Sequence, residues 1–318
     1  MTVDLSVVIA AYNAADTLGE QLAALARQQV AARWDVIVAD NGSTDRTREV
    51  AATWTDRLPG LRVIDASARR GAGAARNLGV EVATGRDVVF CDADDVVADD
   101  WLAALHAALR SRAFVAGRFD DTLLNTARVR RSRALPQRDG LQTSAHLPGL
   151  RHAGAGNLGL RRELFQAVGG FDPDARYLED TDLCWRVQLA GVPLIWTPQA
   201  LVHVRLRGTL RSALGQGYHY GSGERWLARR YREQSGPTPA ACTLPDPMAT
   251  SGDSVPSVRP HRLLHRAAAT TRALAGVRTL GDLGAWCWDL GWGIGYACAP
   301  VGEPEPVRID PVGGGVAV

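Results

Sequence analysis

Three polar clusters stand directly behind apolar runs in the first third of the chain. Tyr12-Asn13 follows Leu5–Ala10, Asp40-Asn41-Gly42-Ser43 follows Val36–Ala39, and Asp92-Ala93-Asp94-Asp95 follows Asp87–Cys91. Two carboxylates at i and i+2, as in Asp92-x-Asp94, can reach one space and hold a hard divalent cation such as Mg²⁺ or Mn²⁺ through oxygen. Such a cation keeps open positions for phosphate. Asp40 can accept a hydrogen bond from a ring N–H of uracil, thymine or guanine; cytosine lacks that hydrogen. Asp40 can equally cap the helix that follows. Glu179-Asp180 opens another helical pattern. Either residue can cap it, or serve as a general base toward an attacking hydroxyl. His203, flanked by Val202 and Val204, reads as a core histidine or as a neutral imidazole ligand beside Asp94.

The elements that must place these groups alternate. Strands are expected at 5–10, 35–40, 61–64 and 87–91, and helices at 14–29, 45–54, 73–83 and 99–110. Repeated β-α units with continuous apolar strands imply a parallel sheet covered on both faces. Ligands of such sheets sit beyond the carboxyl ends of the strands, where the polar clusters fall. Residues 114–150 carry many arginines and no clear period. A helix is expected from about 162 to 168 and another from Glu179 to Gly191, with final strands at 194–196 and 201–204. Gly71-Ala72-Gly73-Ala74-Ala75-Arg76 is no dinucleotide fingerprint, because Arg76 replaces the third glycine and the run lies far from the first β-α turn. It reads instead as a short loop that brings Arg76 and Asn77 to a nucleotide.

Composition removes other chemistries. The 318 residues carry 36 bases, all arginine, against 34 acids, for a net charge of +2. Without lysine there is no P-loop, no pyridoxal Schiff base and no kinase strand lysine. The bias toward arginine fits a GC-rich coding sequence. Five cysteines with no C-x-x-C pair argue for a reducing, cytoplasmic setting and against a disulfide framework. The start, Met1-Thr2-Val3-Asp4-Leu5, reads directly into a strand without a signal peptide.

The ordered set resembles the family 2 glycosyltransferases. It comprises Leu5–Asn13, Asp40–Asp45, Gly73–Gly79, Asp92–Asp95, Gly169-Gly170-Phe171-Asp172, Glu179–Leu183 and His203. The resemblance spans residues 4–205. It departs from the family pattern at Ala10, where proline is frequent, and at Asn41, where a second aspartate is frequent. It implies a GT-A fold, α/β with a mostly parallel Rossmann-like sheet, here followed by a C-terminal helical extension. It also implies an inverting hexosyltransferase-type enzyme that moves a sugar from a nucleotide-diphosphate donor, a UDP-sugar foremost, to a saccharide, lipid-linked or small-molecule hydroxyl. By match to the family, Ala11, Tyr12, Asp40 and Asn41 contact the base, with Arg76 and Asn77 nearby. Asp92 faces the ribose and donor sugar. Asp92, Asp94 and His203 form the metal set, Asp180 is the base with Glu179 next to it, and Gly156 and Asn157 belong to the donor or acceptor pocket. The rival readings are an idle sugar-nucleotide-binding scaffold and a sugar nucleotidyltransferase; the latter normally depends on lysine.

This reading divides the chain into a nucleotide-sugar half (1–120), an acceptor and catalytic half (121–205), a basic helical segment (206–235), a proline-rich linker (236–260), a helical region (261–300) and a mobile tail (301–318). The linker carries six prolines. The arginines of 205–232 and 259–278, followed by Trp286, Trp288, Trp292 and Tyr296, are expected either to pack as a solvated helical face or to rest on an anionic membrane surface. The stretch Trp286–Val301 is too short to span a bilayer. No nucleic-acid motif accompanies the modest net charge.

Overall fold

The computed structural model describes residues 3–234 and 277–307. Among the described residues ten strands are present: β1 (Leu5–Ala11), β2 (Trp34–Asp40), β3 (Arg62–Asp65), β4 (Asp87–Asp92), β5 (Val96–Val97), β6 (Phe114–Asp120), β7 (Gln142–Thr143), β8 (Arg151–His152), β9 (Asn157–Arg161) and β10 (Ile195–His203). The helices are α1 (Leu18–Ala26), α2 (Thr47–Ala52), α3 (Ala72–Val82), α4 (Trp101–Leu109), α5 (Ala127–Arg130), α6 (Arg162–Ala167), α7 (Glu179–Leu189), α8 (Leu210–Arg230) and α9 (Leu280–Cys298). Eight strands form one sheet in the order β3-β2-β1-β4-β9-β6-β10-β5.

The apolar strands dictate a covered sheet, and alternation assigns each residue its side. Val7, Ile9, Val36, Val38 and Val89 pack with α1 and α4 on one face. Val8, Ile37, Val88 and Phe90 pack with Phe165, Leu183 and Val187 on the other. Burying both faces in this way is what a parallel α/β sheet requires.

The sheet is not wholly parallel. β9 runs antiparallel to both β4 and β6, and β5 runs antiparallel to β10. The connection through residues 121–156 leaves β6 at the end where β4 also ends and enters β9 from that same end without crossing the sheet, so β9 runs back against both neighbours. The two expected final strands are one, β10, with a register shift between Trp196 and Leu201.

Beyond the sheet, α8 and α9 lie side by side and parallel. Leu214 and Tyr218 of α8 face Gly291 and Gly295 of α9, while Gly217 and Gly221 face Trp288 and Trp292. A Cβ at any of these four glycines would strike the partner's backbone, so only glycine permits the approach. Each helix opens with a capping box, Thr209 with Ser212 and Thr279 with Asp282. The lower half of α8 seals a third core through Trp226, Leu227 and Tyr231 against Trp185. The first residues of the supposed tail are held: Val301 and Glu305 accept from Arg229 and Arg230, and Val307 accepts from Gln234. The expected linker at 236–260 and the later part of the tail lie outside the described residues.

Candidate functional site

The carboxyl ends of β1, β2 and β4 are adjacent in register. Ala11 pairs with Asp40, and Ala10 with Asp92. Asp40 is fully buried. Its Oδ2 accepts from Nε of Arg48 at 2.6 Å and from the Ser43 amide at 3.2 Å. Arg48 also reaches Asp65 at 3.0 Å. The cap and the strand-end carboxylate are thus one feature. Asn41 shapes the wall beside it: Nδ2 donates to the Ala66 and Arg69 carbonyls and Oδ1 accepts from Gly71. Ala11 is buried, whereas Tyr12 is half exposed with the Arg70 guanidinium over its ring.

Asp92 ends β4, and Ala93 and Asp94 follow it in a turn. Burial raises the Asp94 carboxyl above its ordinary value, and the Asp92 charge adds to the shift. Burial likewise raises Asp95, which accepts from the Arg205 amide at 2.8 Å, while Arg205 Nε reaches the Asp94 carbonyl. The chain leaving β10 therefore clamps the acidic turn. Gly156 faces Asp92 so closely that a Cβ would sit 2.6 Å from Oδ2. Two neighbouring carboxylates are a donor set suited to a hard cation, although one oxygen of Asp92 is already met by Arg76. His203 reaches the same sheet end, but its Nδ1 lies 3.4 Å from Asp120 Oδ1. Among the described residues no three His, Cys, Asp or Glu side chains are gathered as a ready metal shell.

Arg76 joins this edge to α7. Its side chain is 6% exposed, with Nη2 on Asp92 at 2.7 Å and Nη1 on Glu179 at 2.9 Å. Burial opposes its charge, yet the two carboxylates hold the guanidinium firmly protonated. Burial pushes the Glu179 carboxyl up to about 7, Asp180 adds to this, and Arg76 pulls the other way. Asp180 is aimed by backbone: Oδ2 accepts from the Ala155 amide at 3.2 Å and Oδ1 from the Thr181 amide at 2.8 Å. The turn before them is held in a left-handed conformation at Leu178, φ 59°, a strain that the surrounding packing must maintain.

The expected pocket residue Asn157 and the expected nucleotide-side residue Asn77 bond to the frame. Asn157 is fully buried; its Nδ2 donates to the Arg118 and Ala200 carbonyls and its Oδ1 accepts from the Trp101 indole. Asn77 closes a two-way bond with the Phe171 backbone, fixing the Gly169–Asp172 turn against α3. Sequence reasoning missed Arg48 and Arg205. Arg48 lies eight residues after Asp40 on the first turn of α2, a spacing that could have suggested the pair. Nothing local marks Arg205 as the partner of Asp95, 110 residues away.

Comparison with known proteins places the chain. The family model "Glycosyl transferase family 2" matches residues 6–169. The chain is 30% identical over 245 residues to the pre-mycofactocin glycosyltransferase of Mycobacterium tuberculosis H37Rv, covering 74% of this chain and 49% of that one. It is 42% identical over 93 residues to the uncharacterized glycosyltransferase YibD of Escherichia coli K12, covering 29% and 26%. It therefore spans about half or less of the length of these curated relatives. Among solved structures, the mannosyltransferase PcManGT from Pyrobaculum calidifontis, in complex with GDP-Man and Mn²⁺, superposes with a TM-score of 0.60 at 19% identity, covering 93% of this chain and 87% of that one. That likeness shows the fold, a GT-A arrangement with a helical C-terminal region. With the match running from β1 through β9 and α6, the chain belongs to glycosyl transferase family 2.

Proposed function

We propose that this protein transfers a sugar, with inversion, from a nucleotide-diphosphate donor to an acceptor hydroxyl. The observation that carries the reading is Arg76, which ties Asp92 at the end of β4 to Glu179 at the start of α7. It joins the nucleotide edge and the helix-start carboxylates into one cleft. Asp40, Asn41 and Tyr12 form the base-binding side, with a UDP-sugar as the foremost donor. Asp92 and Asp94, with His203 as a third candidate, would hold Mg²⁺ or Mn²⁺. When bound, such a cation offsets the charge that develops on the leaving diphosphate. Glu179 is occupied by Arg76, so Asp180 is the base. Its carboxylate is oriented by two amides and takes the proton of the attacking hydroxyl as that oxygen displaces the diphosphate in line.

A thermal-shift screen of UDP-, GDP- and dTDP-sugars with and without Mn²⁺ tests this. Metal-dependent stabilisation by a UDP-sugar is expected. No shift with any nucleotide sugar would remove the reading. Nuclear magnetic resonance of the product should show the inverted anomer.

The C-terminal pair supports a second contact. No helix among the described residues is long and apolar enough to cross a membrane. Leu280 and Ile294 of α9 are nevertheless exposed at 59% and 43%, and Leu280 lines one surface depression with Arg128 and Arg207. We read this as peripheral attachment to anionic lipid. Co-sedimentation with phosphatidylglycerol vesicles should fall for Ile294→Glu; equal pelleting would refute it.

A further inference from the structure

The carboxylate of Asp180 is gripped from two separate stretches of chain. Oδ1 accepts from the Thr181 amide in the first turn of α7, and Oδ2 accepts from the Ala155 amide in the segment that leaves β8. The aim of the carboxylate therefore depends on the spacing of these two stretches. Among the described residues, three side-chain contacts from α7 tie them together. Gln188, near the far end of the helix, exchanges bonds with the backbone of Arg151: its Oε1 accepts from the amide at 3.1 Å and its Nε2 donates to the carbonyl at 2.7 Å. Cys184, one turn nearer, donates through Sγ to the Ala153 carbonyl at 3.6 Å. The third contact stands beside the carboxylate itself, where Thr181 Oγ1 lies 3.2 Å from His152 Nδ1.

The direction of that bond follows from the other side of the ring. His152 Nε2 lies 3.3 Å from the Thr143 carbonyl, across the β7–β8 hairpin. A carbonyl only accepts, so Nε2 carries the hydrogen and Nδ1 of the neutral ring is an acceptor. Thr181 therefore donates its hydroxyl to His152. The ring is also fixed from the side. It stands edge-on to Trp185, with centroids 6.1 Å apart and planes at 86°. Trp185 is fully buried and lies four residues after Thr181, on the same face of α7. Burial holds the imidazole below the ordinary histidine value, against the charges of Asp180 and Glu224, and so favours the neutral ring that can accept.

We propose that His152 and Thr181 are positioning residues for the base, and that their hydrogen bond sets the spacing of the two amides that aim Asp180. This rests on the reading of Asp180 as the base given above. Neither side chain bonds the carboxylate; each acts through the backbone that does. The reacting hydroxyl must come within about 2.6–3.2 Å of the base, and a misplacement of about 1 Å can cost on the order of 10²-fold in rate. Slack between the two stretches should therefore appear in turnover. Donor binding, which the β1, β2 and β4 edge supplies, should be spared. Gln188 and Cys184 hold the same segment further along α7, so loss of the Thr181 bond loosens the clamp without releasing the hairpin.

The test uses the full-length protein with Mn²⁺ and with UDP-glucose, UDP-N-acetylglucosamine and GDP-mannose as donors. Water serves as the acceptor, and release of the nucleoside diphosphate is followed. Thr181→Val keeps the shape and the amide of the residue and removes only the hydroxyl. His152→Phe keeps a ring beside Trp185 and removes both nitrogens. Each should lower kcat by about tenfold, with the donor KM and the affinity for the free diphosphate within twofold, which also reports that the variant is folded. Thr181→Ser, which keeps the hydroxyl, should regain at least half of the original kcat. A second measurement needs no variant: long-range proton–nitrogen magnetic resonance of the original protein at neutral pH should show the His152 ring neutral with its hydrogen on Nε2. A neutral ring with its hydrogen on Nδ1, kcat unmoved by Thr181→Val, a change confined to KM, or Thr181→Ser as impaired as Thr181→Val would each overturn the proposal. Failure of the original protein to release diphosphate from any of the donors, or release unmoved by Asp180→Asn, would instead overturn the reading of the base on which it rests.

Discussion

Replacing Arg76 by methionine keeps the volume of the side chain and removes the charge that spans Asp92 and Glu179. Both ion pairs are short, and the guanidinium is almost wholly out of solvent. Breaking a buried pair by deleting one partner costs about 3–5 kcal/mol, because the remaining charge is stranded. The pH dependence separates this cause from simple loss of packing. The Glu179 carboxyl stands at about 7 in the fold against an ordinary 4.5, so the folded protein binds that proton more tightly than the unfolded chain. Its contribution to stability is present below pH 4.5 and is lost as pH rises through 7, on the order of 3 kcal/mol in all. Arg76 restrains this loss by pulling the carboxyl down. Without it the folded value rises further and the loss deepens above pH 7. Urea unfolding of the original protein and Arg76→Met should therefore differ by about 3–5 kcal/mol at pH 8. At pH 5.5 Glu179 is protonated in both proteins, and the gap should narrow to the loss of the partly exposed Asp92 pair and its charged hydrogen bond, about 1–3 kcal/mol. A gap of equal size at both pH values would refute the stranded-charge argument, and a gap below about 1 kcal/mol at pH 8 would refute the buried bridge itself.

Three further outcomes follow from the same cleft. Asp180→Asn keeps the side-chain shape and one of the two amide bonds but cannot take a proton; turnover should fall by about 10²–10⁴, with UDP affinity by calorimetry within twofold, and unchanged turnover would remove Asp180 from its role. Asp94→Asn should abolish the part of nucleotide affinity that depends on Mn²⁺, so that titrations with Mn²⁺ and with a chelator coincide; a retained metal effect would place the cation elsewhere. Gly156→Ala sets a methyl group 2.6 Å from Asp92 Oδ2 and should displace that carboxylate, lowering turnover at least tenfold while the melting temperature moves by only a few degrees; full activity would show that Asp92 needs no close approach of β9.

The first half of the fold was legible because its strands are continuous apolar runs, each ended by an acidic or amide group. β1, β2, β3 and β4 and helices α1 to α4 fall where the periodicity puts them, to within a few residues at each end. The reversal at β9 was not legible. Asn157-Leu158-Gly159-Leu160-Arg161 has the composition of any buried strand, and its direction is set by the path of residues 121–156. Asn157 shows the same limit at one residue. An asparagine in a glycine-rich run reads as a ligand-facing amide, yet here it satisfies two carbonyls and an indole inside the sheet. Both uses draw on the same hydrogen-bonding groups, and only three-dimensional placement separates them.

The acidic residues themselves were visible, but what sets their chemistry comes from far along the chain. Glu179 and Asp180 are adjacent and both open α7, so capping preference treats them alike. They differ because Arg76, 103 residues earlier, pairs with Glu179, while Ala155, 25 residues earlier, donates its amide to Asp180. One carboxylate is thereby given to an ion pair and the other is held by two backbone amides. The same logic governs α8. Its many arginines read as a solvated basic face, yet Arg230 pairs with Asp172 and Asp182 and Tyr231 donates to Asp182. The helix is fastened to the far side of α7 at one end and lies against the turn before its start at Gly223. A segment outside the residues matched by the family model thus fixes the orientation of the helix that bears Asp180, so loosening α8 should disturb turnover before it disturbs nucleotide binding.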